Sequence, residues 1–114
     1  MNNSKTVLFV CTANQLRSPT AARLACQLTD WDVRSCGDWD EALIPLTGKL
    51  LLWADEVICM EQCHADTVDQ LVQGFFRKPK VTVWNIPDHF DYMDPKLVKI
   101  IADKLKERND TGKV

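Results

Sequence analysis

Two kinds of apolar pattern alternate along the chain. Short, nearly continuous apolar runs that end at turn-forming residues are typical of buried strands, and apolar residues that recur every three or four positions indicate amphipathic helices. The first kind predicts strands over residues 5–10, 32–36, 55–60 and 80–84. The second kind predicts helices over residues 18–28, 46–53 and 62–72, and a last helix that carries Leu97, Ile100, Ile101 and Leu105 on one face.

Residues that start and stop helices sharpen these boundaries. Pro19 fits the first turn of a helix, where its missing N–H group costs nothing. Gly74 is suited to end the third helix, and Asp94 followed by Pro95 has the pattern of an N-cap and a first helical position. Residues 85–93 then form a loop, and the polar tail, residues 109–114, is expected to fray.

The alternation of strands and helices indicates the fold class. It predicts right-handed βαβ units and an α/β fold in which a parallel sheet is covered on both faces. A chain of 114 residues is long enough for one domain, residues 1–114, with a single core. Ligands of such sheets bind beyond the carboxyl ends of the strands. The segments that follow the strands are therefore where function is expected.

Composition excludes several function classes. The chain is 46% apolar and 26% charged with a net charge of −2, so neither a nucleic-acid surface nor a membrane surface is indicated. The first apolar run covers only residues 7–10, too short for a signal peptide or a membrane span, and a cytoplasmic location is expected. Five scattered cysteines favour reduced thiols over a disulfide scaffold, with Cys26 and Cys59 in the core.

The segment between the first strand and the first helix carries the candidate chemistry. Cys11 ends the apolar run, and Arg17 opens the helical pattern, so a nucleophile and a cation bracket a loop at a helix N-terminus, where anions bind. The helix dipole supplies only ~0.3–1 kcal/mol, so a thiolate there also needs loop N–H groups, Arg17 and a hydroxyl such as Ser18. Arginine can hold two phosphate oxygens bidentately. Asn14 suits the left-handed conformation that turns N–H groups inward. The pattern favours attack on a phosphate ester by a loop that comprises Thr12, Ala13, Asn14, Gln15, Leu16, Arg17 and Ser18.

A second loop is expected to supply the proton that the leaving group needs. It follows the fourth strand and contains Asp88, Asp91 and Asp94. Asp94 is better suited to capping the last helix, and Pro87 stiffens the chain at Asp88, which makes Asp88 the first candidate for the acid and Asp91 the second. Phe90 and Tyr92 are candidates for the rim of the substrate site. Trp39 is either a rim residue or half-buried.

These residues resemble a known family. Cys11, five further residues, Arg17, Ser18 and Pro19, with Asn14 three places after the cysteine, resemble the signature of the low-molecular-weight protein tyrosine phosphatases. Residues 33–37 resemble the family's second strand and its Ser-Ala-Gly turn, residues 54–61 its third strand, and residues 86–88 the segment that carries its general acid.

The resemblance implies a fold, a reaction and a role for each residue. It implies a three-layer α/β/α fold with a four-stranded parallel sheet and a phosphocysteine mechanism with no metal or organic cofactor. Cys11 would be the nucleophile, Arg17 the transition-state clamp and Asp88 the acid and then the base. Ser18 would hydrogen-bond the thiolate, and Asn14 would order the loop. The partner would be a phosphorylated protein or a small phosphate ester, and we expect a monomer or weak dimer; the charge pattern already argues against nucleic acid and membrane as partners.

The sequence departs from the family in three places. Proline precedes Asp88 instead of following it, which leaves Asp91 open as the acid. Leu16 stands where many members have a second cysteine, so a disulfide within the loop is excluded. The chain is also shorter between Gly37 and Trp53, where part of the substrate rim would lie.

Two other function classes stay open at this stage. A thioredoxin-coupled arsenate reductase would need relay cysteines, for which Cys59 and Cys63 are candidates. A phosphate-binding module without turnover is the other. A metal site at Cys59, Cys63 and His64 is disfavoured, because these residues straddle the end of a strand and the start of a helix.

Overall fold

The computed structural model describes residues 4–112, which form four strands and four helices in alternation. These are β1 (Thr6–Cys11), α1 (Arg17–Leu28), β2 (Asp32–Gly37), α2 (Gly48–Trp53), β3 (Glu56–Cys59), α3 (Gln62–Leu71), β4 (Lys80–Val83) and α4 (Pro95–Lys106). All strand pairs are parallel, in the order β2-β1-β3-β4, which confirms the predicted α/β fold and its four-stranded parallel sheet. In residues 4–112 no helix has the length and apolar content needed to cross a membrane.

Strand β1 is the centre of the core because both of its faces are covered. Val7 and Phe9 belong to the apolar cluster that packs against α1 and α4, and Leu8 and Val10 to the cluster beneath α2 and α3. Side chains alternate between the two faces of a strand, so burial on both sides requires the continuous apolar run seen in the sequence. The carboxyl end of β1 therefore delivers Cys11 to the middle of the sheet edge.

The helix ends agree with the expected signals at two helices and differ at two. Helix α1 begins at Arg17, so Pro19 lies in its first turn as expected. Asp94 caps α4, where its side chain accepts a hydrogen bond from the N–H of Lys96 at 2.9 Å, and Pro95 is the first residue. Helix α2 begins at Gly48 instead of residue 46, because Thr47 is its N-cap. The expectation for Gly74 was wrong: α3 already ends at the C-cap Val72, and Gly74, at φ +87°, lies in the turn that follows.

The expectation of a frayed tail was wrong for Asp110 and Thr111. The carbonyl of Asp110 accepts a hydrogen bond from Trp31 Nε1 at 3.0 Å, and the carbonyl of Thr111 accepts one from the N–H of Asp30 at 2.8 Å. Thr111 is buried. The tail is anchored by residues remote in sequence, so its local polarity misled the prediction; residues 113–114 lie outside the described residues.

The cysteines are all free thiols, as expected, but their placement differs at one position. Cys59 is fully buried, whereas Cys26 is exposed. Cys26 lies two residues after Leu24, about 200° around the helix from the buried stripe of α1, and so it faces away from the sheet.

A buried ionic cluster closes the amino end of the sheet. The Glu56 side chain is 0% exposed, with one oxygen 2.6 Å from Lys5 Nζ and 2.7 Å from Arg108 Nη2. Its other oxygen accepts hydrogen bonds from Thr82 at 2.5 Å and Arg108 Nη1 at 3.1 Å. Burial would raise the pKa of Glu56, but the hydrogen bonds from Arg108, Lys5 and Thr82 outweigh it and hold the pKa below its ordinary value. We call Glu56, Lys5, Arg108, Thr82 and Asp110 the amino-end cluster.

Candidate active site

The loop between β1 and α1 folds back on the sulfur of Cys11. Asn14 has φ +58°, the left-handed conformation expected for it, and its N–H points to Cys11 Sγ at 3.3 Å. Helix α1 has Leu16 as its N-cap, and an aliphatic side chain cannot satisfy the first N–H groups of a helix. Those groups remain available to an anion in the loop.

A hydroxyl and an amide hold the nucleophile in place. Ser18 Oγ lies 3.0 Å from Cys11 Sγ and 3.2 Å from the carbonyl of Cys36. The amide of Asn14 donates to Ser18 Oγ at 3.0 Å and to Ser35 Oγ at 2.9 Å. Ser18 has one proton for two acceptors, the sulfur and the carbonyl. A thiolate at Cys11 can take that proton as a hydrogen bond in addition to the Asn14 N–H.

The guanidinium of Arg17 is buried and oriented by acceptors on three segments. Its Nη1 donates to Glu61 Oε2 at 2.5 Å and to the carbonyl of Ile86 at 2.8 Å, and Nη2 donates to Thr12 Oγ1 at 3.4 Å. Nε lies 3.6 Å from Asp88 Oδ1. Both protons of Nη1 are thus committed, and the edge formed by Nε and Nη2 is the one that can bind two oxygens of a phosphate.

These groups surround one small cavity. It measures about 70 Å³ and is lined by Cys11, Ala13, Gln15, Leu16, Arg17 and Asp88. Of the three candidate aspartates, only Asp88 lines it: Asp94 caps α4, and the exposed Asp91 accepts the Asp94 N–H with its carbonyl. The arrangement places a thiol at the base of a cavity of phosphoryl size and a carboxyl group at its mouth.

Several solved phosphatase structures share this architecture. Vibrio vulnificus Wzb in complex with benzylphosphonate superposes with a TM-score of 0.72 at 20% identity, over 92% of this chain and 97% of that one. A low-molecular-weight protein tyrosine phosphatase from Streptococcus pyogenes gives a TM-score of 0.71 at 17% identity, over 90% and 92% of the two chains. The YwlE arginine phosphatase from Geobacillus stearothermophilus gives 0.62 at 24% identity, over 90% and 94%. The chain has the low-molecular-weight protein tyrosine phosphatase fold. No protein-family model and no curated protein sequence matches it.

In this fold the segment after β2 is hydrogen-bonded to the loop between β1 and α1. The N–H groups of Asp38, Trp39 and Leu43 donate to the carbonyls of Cys11, Thr12 and Ala13 at 3.0–3.1 Å. Gly37 makes the contact possible, because a Cβ at this position would lie 2.3 Å from the carbonyl oxygen of Thr12. The short segment therefore forms a fixed wall beside the loop.

The three expected rim residues do not line the cavity. Trp39 belongs to the wall segment, and its side chain is half exposed. Phe90 packs against the core and stacks on His89, with ring centroids 4.5 Å apart, and lines a separate groove along α4. The hydroxyl of Tyr92 accepts a hydrogen bond from Arg23 Nη1 at 3.3 Å on the surface of α1.

Two residues at the start of α3 were not predicted as part of the site. Glu61 binds Arg17, and His64 Nε2 lies 3.0 Å from Thr12 Oγ1. The available signal was topological: Glu61 follows β3, the neighbour of β1, at the same edge of the sheet. Donor atoms of Glu61, Cys63 and His64 lie within 4.8 Å of one another, but both ring nitrogens of His64 are engaged in hydrogen bonds, and Cys59 is not in the group.

Proposed function

We propose that this chain is a cysteine-dependent phosphate-monoester hydrolase that works through a phosphocysteine intermediate. The observation that carries the proposal is the single small cavity that joins Cys11 Sγ, the Arg17 guanidinium and the Asp88 carboxyl group. The similarity to phosphatase structures at 17–24% identity supports the fold, and the reaction is inferred from the geometry of the site.

The first step transfers the phosphoryl group to sulfur. The loop N–H groups and the Nε–Nη2 edge of Arg17 hold the phosphate oxygens, while Ser18 and the Asn14 N–H stabilise the thiolate. The sulfur attacks phosphorus, the S–P bond forms as the P–O ester bond breaks, and the leaving oxygen takes a proton from Asp88.

The second step restores the enzyme. The Asp88 carboxylate accepts a proton from a water molecule, which attacks phosphorus as the S–P bond breaks. Inorganic phosphate and the Cys11 thiolate are the products, and Asp88 has regained its proton. Through both steps Arg17 binds the equatorial oxygens, where charge is spread in phosphoryl transfer.

Hydrolysis of p-nitrophenyl phosphate at mildly acidic pH tests the proposal. We expect Cys11→Ser to abolish turnover, because the nucleophile is lost. Asp88→Asn should slow it by about 10²–10⁴-fold, the range of general acid–base catalysis. Asp91→Asn is the matched control, since this exposed carboxylate on the same loop does not line the cavity. Turnover that survives Cys11→Ser would overturn the mechanism; a slow Asp91→Asn with a normal Asp88→Asn would reassign the acid.

Phosphotyrosine in a protein is the substrate that we propose first, because one of the similar structures is a low-molecular-weight protein tyrosine phosphatase; phosphoarginine is the second candidate. Gln15 and Asp88 line the mouth of the cavity, where they can hydrogen-bond a guanidinium group, whereas none of the aromatic residues expected to bind a phenyl ring lines it. One of the similar structures is an arginine phosphatase. Peptides that carry either group, assayed by phosphate release, separate the two. If phosphoarginine is preferred, Gln15→Leu should lower its kcat/KM more than that of phosphotyrosine; an equal loss would exclude a role for Gln15 in the choice.

The alternatives gain no support from the cysteines. Of the two relay candidates, Cys59 is buried in the apolar cluster on the face away from Cys11, where burial raises its pKa to about 12 and keeps it protonated. Cys63 is exposed at the start of α3, where burial, Glu61 and Asp38 raise its pKa above the ordinary value. They are therefore poor relays for an arsenate reductase. A binding module without turnover would bind phosphate or vanadate in the same assay and leave the ester intact.

We further propose that residues 1–114 act as one cytoplasmic domain, as a monomer or weak dimer. The five free thiols favour a reducing compartment. Sedimentation at several protein concentrations measures the oligomeric state.

A further inference from the structure

The buried His64 has one defined tautomer. Its Nδ1 accepts a hydrogen bond from the N–H of Glu61 at 3.0 Å and therefore carries no proton. The proton is on Nε2, which donates to Thr12 Oγ1 at 3.0 Å. The imidazole is neutral, and both of its nitrogens are used.

His64 and Glu61 bind each other in a capping box at the start of α3. The Glu61 carboxylate accepts the N–H of His64, and the His64 ring accepts the N–H of Glu61. This pair makes one hydrogen bond to each end of the loop between β1 and α1. The ring holds Thr12, directly after the nucleophile, and the carboxylate holds Arg17 at 2.5 Å. Thr12 Oγ1 also accepts from Arg17 Nη2 at 3.4 Å, which closes the network.

We infer that His64 is a positioning residue for the phosphate loop: its Nε2–H fixes Thr12, and its Nδ1 fixes Glu61 and through it the Arg17 guanidinium. The inference rests on the proposed function for its kinetic consequences, and its geometric part stands without it. Only neutral His64 can fill this role, because a proton on Nδ1 would face the N–H of Glu61.

The surroundings of His64 keep it neutral. Burial disfavours the charged ring, and so does Arg17. Asp38, Glu61 and Asp88 favour it, but the balance lowers the pKa of His64 below its ordinary value of 6.5. The network is therefore expected to persist in mildly acidic solution.

Two substitutions separate the hydrogen bond from His64 to Thr12 from the hydrogen bond that His64 accepts from Glu61. His64→Asn keeps an acceptor near the position of Nδ1 and removes the donor to Thr12, whereas His64→Gln keeps a donor that can reach Thr12 and removes the acceptor. We expect each to lower kcat/KM for p-nitrophenyl phosphate about tenfold, the value of one hydrogen bond. His89→Asn, at the second histidine, is the control. Thr12→Val tests the same link with the ring intact, and Thr12→Ser, which retains the hydroxyl, should restore activity.

NMR of ¹⁵N-histidine-labelled protein tests the geometry independently of catalysis. We expect His64 to show the neutral Nε2–H tautomer in mildly acidic solution, because its pKa lies below the ordinary value of 6.5. A proton on Nδ1 of the neutral ring, or His64 and Thr12→Val variants with unchanged kcat/KM, would overturn the inference. If the wild type does not hydrolyse the ester, the proposed function fails. The inference is then decided by the affinity for inorganic phosphate, which must fall in both His64 variants and stay unchanged in His89→Asn.

Discussion

Two buried charges lie at opposite ends of the sheet, and their surroundings differ. Glu56, at the amino end, has donors on both carboxylate oxygens: Lys5 and Arg108 on one, Thr82 and Arg108 on the other. Arg17, at the carboxyl end, has both protons of Nη1 committed, but its Nε lies 3.6 Å from the nearest carboxylate oxygen. The first charge is saturated by the protein, and the second presents one edge to a cavity.

The difference separates a structural cluster from a candidate binding site. A buried charge is costly unless it is paired and hydrogen-bonded, so full compensation is what stability alone requires. Incomplete compensation beside a cavity indicates that a ligand of opposite charge completes the set. Depth of burial does not distinguish the two, because Arg17 is 1% exposed and Glu56 0%. What distinguishes them is whether all hydrogen-bonding edges of the charged group are paired within the protein: those of Glu56 are, whereas one edge of Arg17 faces the cavity.

The largest effect is expected from Arg17→Lys. An ammonium group keeps the charge but cannot bind Glu61, the Ile86 carbonyl and two phosphate oxygens at once. We expect kcat/KM for p-nitrophenyl phosphate to fall by about 10³-fold or more, as when a transition-state arginine is removed. Steady-state kinetics measures this, with the exposed Arg23→Lys as a control that stays near wild type. A loss below tenfold would mean that the open edge does not bind the phosphate.

Glu56→Gln should affect stability instead of catalysis. Lys5 and Arg108 would keep their charges without the buried carboxylate between them, and breaking such a pair costs about 3 kcal/mol. Urea unfolding measures this loss, and Asp103→Asn, which removes only an exposed pair with Lys99, should change stability by less than about 0.5 kcal/mol. Turnover per folded molecule should not change. A catalytic defect at full stability would contradict the division between the two ends.

The smallest expected signal is a pH dependence of stability from the amino-end cluster. The hydrogen bond from Arg108 holds the pKa of Asp110 well below its ordinary 3.8, and the pKa of Glu56 lies below its ordinary 4.5. Both groups bind protons more readily in the unfolded chain. The stability that they contribute is therefore complete above about pH 4.5 and is lost as the pH falls through the lower folded values. Urea unfolding between pH 3 and 7 should show this decline in the wild type and a weaker one in a Glu56→Gln, Asp110→Asn double variant. Equal slopes would show that other carboxylates govern it.

Much of the fold and part of the site could be predicted from the sequence. Apolar runs and helical spacing determined the order of the elements, because each is decided by residues close together in the chain. The same holds for Asn14 in its left-handed conformation and for Asp94 as a cap. The candidate residues of the loop could also be identified from the sequence, since Cys11, Arg17 and Ser18 are separated by seven positions at most.

Only the tertiary structure decided which distant groups complete each buried charge. Glu61 is 44 residues from Arg17, and Asp110 is 105 residues from Lys5. In the sequence, Glu56 is one polar residue within an apolar strand pattern, and the polar composition of the tail predicted fraying. Their partners are set by the strand order β2-β1-β3-β4, which brings the ends of β1 and β3 side by side. The sequence alone predicted that a loop with a cysteine and an arginine would form between β1 and α1, with phosphate as its expected ligand. The packing of neighbouring strands determined that Glu61 and His64 hold it, because contacts across a sheet leave no pattern in the local sequence.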